Sequence, residues 1–283
     1  MKPHSRKCIP AVLAVLGAFI SQSAFALPID LGTAGPEEWG ILTMCTDPDP
    51  EVKSSHELGG IVGNIGIQAN GKVDFSGGGA IEGDLYLGPN AEESVSGGVT
   101  GTIYQDAAAH ATLMQASMDA FAAAAAASAL TADFTYADIN AGASFIGGGV
   151  YDVETLKIED GSLTLTGSAS DYYVFNISEE LKLHKGVIDL QGGLTWDNVL
   201  FNVETTKSVS MNDGVYMTGI ILAPYASEVS LVKINSQMVG EIITCEKVRF
   251  ASGANLVNTI PEPGSISLAA FGLLFLKIVR GRR

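Results

Sequence analysis

The sequence predicts a mainly β fold, an irregular parallel β-helix with one long alanine-rich helix packed alongside. The first observation behind this is a recurring apolar-x-Gly-x-apolar unit. It appears as Ile61-Val62-Gly63-Asn64-Ile65, Ile81-Glu82-Gly83-Asp84-Leu85 and Val99-Thr100-Gly101-Thr102-Ile103, and later as Met217-Thr218-Gly219-Ile220-Ile221 and Met238-Val239-Gly240-Glu241-Ile242. Its glycines fall 20 and 18 residues apart in the first group and 21 apart in the second. A fixed period of this length is the mark of a solenoid, in which each repeat is one coil. The second observation is a set of short alternating segments between the two groups, such as Ser162-Leu163-Thr164-Leu165-Thr166 and Val187-Ile188-Asp189-Leu190, as half-buried strands should be. The third is the stretch from Asp106 to Leu130, which holds no glycine or proline and is dominated by alanine, the strongest helix former.

In a stacked coil, inward side chains sit on their equivalents one rung away, about 4.8 Å distant. Ile65, Leu85 and Ile103 are therefore expected to form one ladder, and Ile61, Ile81 and Val99 another. The repeat glycine belongs at a corner, where positive φ or close backbone approach is needed. For the helix, Asp106 is a suitable N-cap, and Leu113, Met114, Met118 and Phe121 are expected to form the stripe that packs on the solenoid flank. Further strands follow at Val150–Val153, Leu156–Ile158, Tyr172–Ile177 and Asn198–Val203. The competing architecture is an antiparallel β-sandwich, for which Asn70-Gly71 and Asp160-Gly161 offer hairpin turns.

The two ends read as targeting segments. Lys2, Arg6 and Lys7 precede an apolar core from Ile9 to Ile20, and Ala24-Phe25-Ala26 fits the small-x-small cleavage rule. Residues 1–26 are thus expected to be a signal peptide read by the Sec translocon, with Cys8 too far from the cleavage point to accept a lipid. At the other end Pro261-Glu262-Pro263 is followed by an apolar run over 265–279, interrupted by Lys277, and by the basic cluster Arg280, Arg282 and Arg283. Its 12 uncharged residues, 265–276, are short of the roughly 20 needed to cross a bilayer. This layout resembles the PEP-CTERM sorting signal of exported bacterial proteins. The resemblance implies an exosortase-type membrane protease as partner, transient membrane anchoring, and a cell-surface or extracellular destination. The expected division is 1–26, a body over 27–258, and the sorting segment over 259–283.

The chain carries 16 basic and 31 acidic residues, net −15. Setting aside the three bases of the signal peptide and the four bases and one acid of 261–283 leaves a body with 9 basic and 30 acidic residues, net −21. Such a surface repels nucleic acid. Only Cys45 and Cys245 remain after export, and two cysteines in an oxidising compartment point to one disulfide, with two separate thiols as the alternative. The mature histidines, His56, His110 and His184, and the cysteine spacing match no zinc pattern, so no metal or cofactor is expected. Asp47-Pro48-Asp49-Pro50-Glu51 reads as an exposed proline-stiffened loop. Ser208, Ser210, His184 and Asp189 form no nucleophile arrangement, and no Gly-x-Ser-x-Gly elbow is present, so no catalytic residue is expected.

Taken together, Leu31-Gly32-Thr33-Ala34, the Gly-x-apolar coils, the alanine-rich helix, Gly149-Val150-Tyr151 and Gly219-Ile220-Ile221-Leu222-Ala223-Pro224 resemble the ice-binding-like β-solenoids and the related choice-of-anchor surface domains. The resemblance implies late coils stacked beside early ones, which brings Cys45 toward Cys245. Ice binding demands a flat face of regularly spaced small hydroxyl or methyl groups. The residues after the repeat glycine (Asn64, Asp84, Thr102, Ile220, Glu241) and two further on (Gly66, Tyr86, Tyr104, Leu222, Ile243) are neither flat nor rich in threonine. Thr164, Thr166, Thr195, Thr205 and Thr206 form no evident ladder. The expected function is therefore that of a non-catalytic surface or matrix protein, structural or adhesive. Extracellular polysaccharide is its expected partner, reached through aromatic residues such as Trp39, Trp196, Tyr172, Tyr173, Tyr216 and Tyr225 if these are exposed. Ice binding is the first alternative and a polysaccharide-active β-helix enzyme the second.

Overall fold

The computed structural model describes residues 27–36, 38–47, 49–54, 60–232, 235–251 and 253–258. The expected signal peptide with its cleavage residues Ala24 and Ala26, Pro261-Glu262-Pro263, the apolar run over 265–279 and Arg280, Arg282 and Arg283 lie outside the described residues. Among the described residues no helix is long and apolar enough to cross a membrane.

The chain forms β1 (Ile41–Thr43), β2 (Glu51–Ser54), β3 (Gly60–Val62), β4 (Ile65–Ile67), β5 (Lys72–Phe75), β6 (Ile81–Glu82), β7 (Leu85–Leu87), β8 (Glu92–Val95) and β9 (Ile103–Tyr104), then the helix α1 (Ala107–Ser128). After the helix come β10 (Phe134–Asn140), β11 (Ser144–Ile146), β12 (Gly149–Thr166), β13 (Tyr173–Gln191), β14 (Val199–Val203), β15 (Val209–Asn212) and β16 (Tyr216–Ala223). The last strands are β17 (Glu228–Val232), β18 (Gln237–Thr244), β19 (Lys247–Phe250) and β20 (Asn255–Val257). Every strand pairing among the described residues is parallel, which makes the architecture a β-solenoid and removes the sandwich. Asn70 and Asp160 do adopt positive φ, 59° and 49°, but at bends between two faces of a coil instead of at hairpins.

The chain does not start at an end of the stack. It enters at β1, winds down to β9, and returns along the solenoid through α1 to β10. The remaining coils then descend until β18, β19 and β20 pair with β1, β2 and β3. The two expected ladders are present: Ile65 stacks on Leu85 and Leu85 on Ile103, and Ile61 on Ile81 and Ile81 on Val99. The first continues upward through Ile41, Ile242, Ile221, Phe201, Phe175 and Tyr151 to Phe134. This single inward row joins both groups of coils. The repeat glycines also stack. A Cβ on Gly83 would stand 2.5 Å from the Gly63 carbonyl oxygen, and one on Gly240 would stand 2.0 Å from that of Gly219, so the coils close up only where that atom is missing.

Asp106 caps α1, its side chain accepting from the Ala109 N–H at 2.8 Å. The expected packing stripe is only partly right. Leu113 is buried, whereas Met114, Met118 and Phe121 are 62, 56 and 37 % exposed. The buried side is made instead of Ala109, Ala116, Ala120, Ala123 and Ala127 around Leu113. Alanine lets the helix axis approach the sheet closely, and the long side chains are left facing outward. Polar groups fix its position: the Gln68 amide donates to Leu113 O at 2.8 Å and to the Ser117 hydroxyl at 2.6 Å, and the Asn176 amide donates to Ala127 O at 3.0 Å. The segment before β1 crosses over α1, where the Thr33 N–H and hydroxyl donate to Asp119 at 2.9 and 2.8 Å. Those donors hold the Asp119 carboxyl below its usual range.

The junction of late and early coils carries two further features. Cys45 and Cys245 are bonded there, their Cα atoms 4.6 Å apart. Glu241, in register with Ile220, is fully buried, and neither carboxylate oxygen has a partner. Burial pushes its pKa well above the ordinary 4.5. The neutral form is thus the one that folds. Its contribution is complete below the ordinary value and is lost as pH rises toward the folded one. Glu241→Gln, whose amide cannot ionise, is therefore expected to raise stability at neutral pH, where the unfolded carboxyl is charged and the folded one must be protonated. Wild type should close that gap on acidification toward pH 4.5, as followed by chemical denaturation at several pH values. A gap independent of pH would contradict this origin.

Candidate functional site

The solenoid has three long faces, and their outward side chains differ in kind. One face, built from β1, β4, β7, β9, β14 and the first residues of β12 and β13, lies under α1 and residues of 27–34 and Trp39. Leu42, Val150, Val174, Leu200, Ile220, Leu222 and Ile243 join Trp39, Leu113 and the helix alanines in one buried cluster. Of the two rows tested in the sequence for an ice plane, the one further from the glycine belongs here, while the row beside the glycine is buried at Ile220 and Glu241 and exposed at Thr102. Leu222 pairs with Ile243, Ile243 with Leu42, Leu42 with Gly66, Gly66 with Tyr86, and Tyr86 with Tyr104. Their lack of threonine says nothing about an exposed plane, because this is the covered side.

The second face, β2, β5, β8, β15, β17, β19 and the middle of β12 and β13, is charged. In-register stacking sets Glu228, Lys247, Glu51, Lys72 and Glu92 in one column of alternating sign. Ion pairs run beside it, Lys53 to Glu51 at 3.2 Å, Lys72 to Asp74 at 2.9 Å and Lys157 to Glu159 at 3.1 Å. A shallow cavity of about 260 Å³ opens among Glu51, Lys53, Glu228, Lys247 and Arg249. Exposed pairs like these are worth little individually, but stacked like charges one rung apart would repel, so the alternation favours a single register.

The third face is formed by β11, the last residues of β12 and β13, the start of β16 and β18, and β20, β3 and β6. One outward row pairs Ser144 with Thr164 and Thr164 with Asp189. Lower on the same face, Thr218 pairs with Val239, Val239 with Val257, Val257 with Val62, and Val62 with Glu82. A second row runs through Ser162, Val187, Tyr216, Gln237, Asn255 and Gly60. Of these residues only Asp189 and Glu82 carry a charge. Most are half-exposed, although Thr218 is buried and Val239 packs partly against the edge of the cluster beneath α1. Thr164 and Thr166 lie here, while Thr195, Thr205 and Thr206 fall in the loops beside β14.

The other residues singled out in the sequence do not converge. Asp47 and Asp49 are exposed, and Glu51 is paired with Lys53. His184 lies 3.5 Å from Asp213, Ser208 bonds to Ser227, Ser210 to Asn212, and Asp189 to Gln191. Among the described residues no three His, Cys, Asp or Glu side chains are grouped to hold a metal. Trp39, Trp196 and Tyr173 are core residues, and only Tyr216 and Tyr225 of the aromatic set are largely exposed, at 41 and 57 %.

Comparison with known proteins matches this architecture. An ice-binding protein from the Antarctic ascomycete Antarctomyces psychrotrophicus is similar with a TM-score of 0.55 and 19 % identity, over 82 % of this chain and 98 % of that one. An ice-binding protein from an Antarctic Flavobacteriaceae bacterium gives 0.59 and 16 %, over 84 % of this chain and 49 % of that one. The DUF3494 domain of Shewanella frigidimarina ice-binding protein 1 gives 0.54 and 14 %, over 82 and 98 %. At these identities the likeness establishes the fold. No curated protein matches the chain in sequence. The structural or adhesive reading drawn from the sequence is overturned by these neighbours together with the family match, and the physical reason is that the covered face had been taken for the open one. Residues 52–231 match the model of the ice-binding-like family, to which the chain therefore belongs.

Proposed function

We propose that the protein binds ice through the third face. The observation that carries this is the chemical contrast between the two open faces: one is a lattice of ion pairs, the other a parallel sheet surface of Ser, Thr, Val, Asn and Gln with two formal charges. Ice is an uncharged lattice of water, and a surface that joins it must hold water at regular intervals without the tight private hydration shells of ions. Rungs about 4.8 Å apart, with small or β-branched side chains standing off a stiff sheet, present such intervals. The family and the neighbours described as ice-binding proteins support this reading. No catalytic step is part of it.

Val239→Lys, which sets a cation in the middle of the third face, is expected to abolish ice adsorption and recrystallisation inhibition. Lys53→Thr on the charged face is expected to leave both unchanged. An inactive wild type, or equal activity in the Val239 variant, would sink the reading. Export by residues 1–26 and sorting by Pro261-Glu262-Pro263 with the basic cluster Arg280, Arg282 and Arg283 belong to the same proposal, since ice is met outside the cell. Fractionation of cells producing the chain with and without 261–283 tests that part.

A further inference from the structure

Eight basic side chains of the body lie among the described residues, and six of them are ion-paired: Lys53, Lys72, Lys157, Lys182, Lys185 and Lys207. The two that are not, Lys247 and Arg249, stand two residues apart on β19 and line the same cavity of the charged face. In a body with 30 acidic residues a base without a carboxylate is the exception. Arg249 is also the one arginine of residues 27–258. Its neighbours on the sheet supply no counter-charge. Register sets it between Ser230 and Lys53, and Lys247 and Ala251 flank it along the strand. Lys53 is held by Glu51, and Asp74 on the next rung by Lys72.

Arg249 and Lys53 thus stack as like charges one rung apart, about 4.8 Å in backbone spacing, and repel. The same face holds a second stack of this kind, Lys157 in register with Lys182. There Glu159 stands 3.1 Å from one and 3.4 Å from the other, so a carboxylate joins the two cations. We infer that Arg249, flanked by Lys53 and Lys247, binds the carboxylate of a small hydroxylated acid about the size of one sugar-acid unit. The guanidinium is planar and offers parallel N–H donors that match a carboxylate, which a lysine cannot do. Glu228 and Glu51, on either side of Lys247 in the next column, only accept hydrogen bonds. They suit the hydroxyl groups of the ligand and repel a second carboxylate. The cavity, about 260 Å³, is smaller than the sites of drug-sized ligands. The acid surplus of the body opposes a long polyanion, so a single acid or a chain end fits better than a run of them. The site lies on the second face and does not depend on how the third face is used.

Titration of the isotope-labelled chain with glucuronate, followed by amide shifts, is expected to saturate on β2, β17 and β19, and glucose is expected to move none of them. Arg249→Gln should weaken binding about tenfold or more, as loss of a charge-assisted fork does. Its circular dichroism should be unchanged, because the side chain is exposed. Arg249→Lys keeps the charge without the fork and should fall between the two. Lys157→Gln, at the stack that Glu159 already joins, should bind as wild type does, and ice adsorption should be the same in all three variants. Absence of saturation with glucuronate overturns the inference. So does equal binding by Arg249→Gln, an equal response to glucose, or an equal response to sulfate at matched ionic strength. A glucuronate oligomer tests the source of the carboxylate. Tighter binding than its number of units explains would assign the site to a polysaccharide, weaker binding to a free acid, and either result supports the site.

Discussion

Replacing Phe175 with alanine is expected to lower the unfolding free energy by about 3–5 kcal/mol, seen as an earlier midpoint in urea at unchanged slope. Phe175 is fully buried, with the Phe201 ring centroid 5.2 Å away on one side and that of Tyr151 5.0 Å away on the other. Such offset stacks add to the area term. A large share of the cost is the cavity, and here the cavity cannot close. The rings above and below are held by parallel ladders, Tyr151 with Phe175 and Phe175 with Phe201, and the backbone spacing of a sheet does not shorten to fill a gap. Phe175→Leu keeps most of the volume and should cost less than about 1.5 kcal/mol. Equal effects of the two variants would mean that the stack is not the origin of the stability.

The same row explains what was legible beforehand. Its lower part, Ile65, Leu85 and Ile103, could be read from the sequence because consecutive coils are consecutive in the chain and the repeat glycine marks their phase. The upper part could not, since Phe201 and Phe175 sit in longer coils without that glycine. The joint between Ile41 and Ile242 unites residues some 200 positions apart, and no period reveals it. The helix was located correctly and capped correctly at Asp106, but its orientation was not legible. Size favoured burying Met114, Met118 and Phe121, and close approach to the sheet favoured alanine. Close approach prevailed, because polar anchors such as Gln68 reach the helix backbone only at short range. The open face was missed for a related reason. The row of Leu222 and Ile243 falls under α1, while the uncharged rows begin on the other side of the corner, where Thr218 and Val239 precede Gly219 and Gly240.

Replacing Cys45 and Cys245 together with alanine is expected to cost 2 to about 5 kcal/mol, the range for a cross-link whose closed loop holds some 200 residues. The loss should not fall evenly. The coils from β1 to β9 are joined to the rest through α1 and through the junction with β18, β19 and β20. Strands there have two to four residues each, whereas β12 and β13 pair over most of their 18 and 19 residues. With the cross-link present, the early coils cannot part from the late ones even when their short ladders open. Without it, the junction becomes the weakest cooperative boundary in the stack. Hydrogen exchange on the double variant should therefore show amides of β1 to β9 losing protection well before those of β12 and β13, while wild type loses both together. Uniform loss of protection would mean that the two groups of coils unfold as one unit whether or not they are tied, and that their contact surface alone couples them.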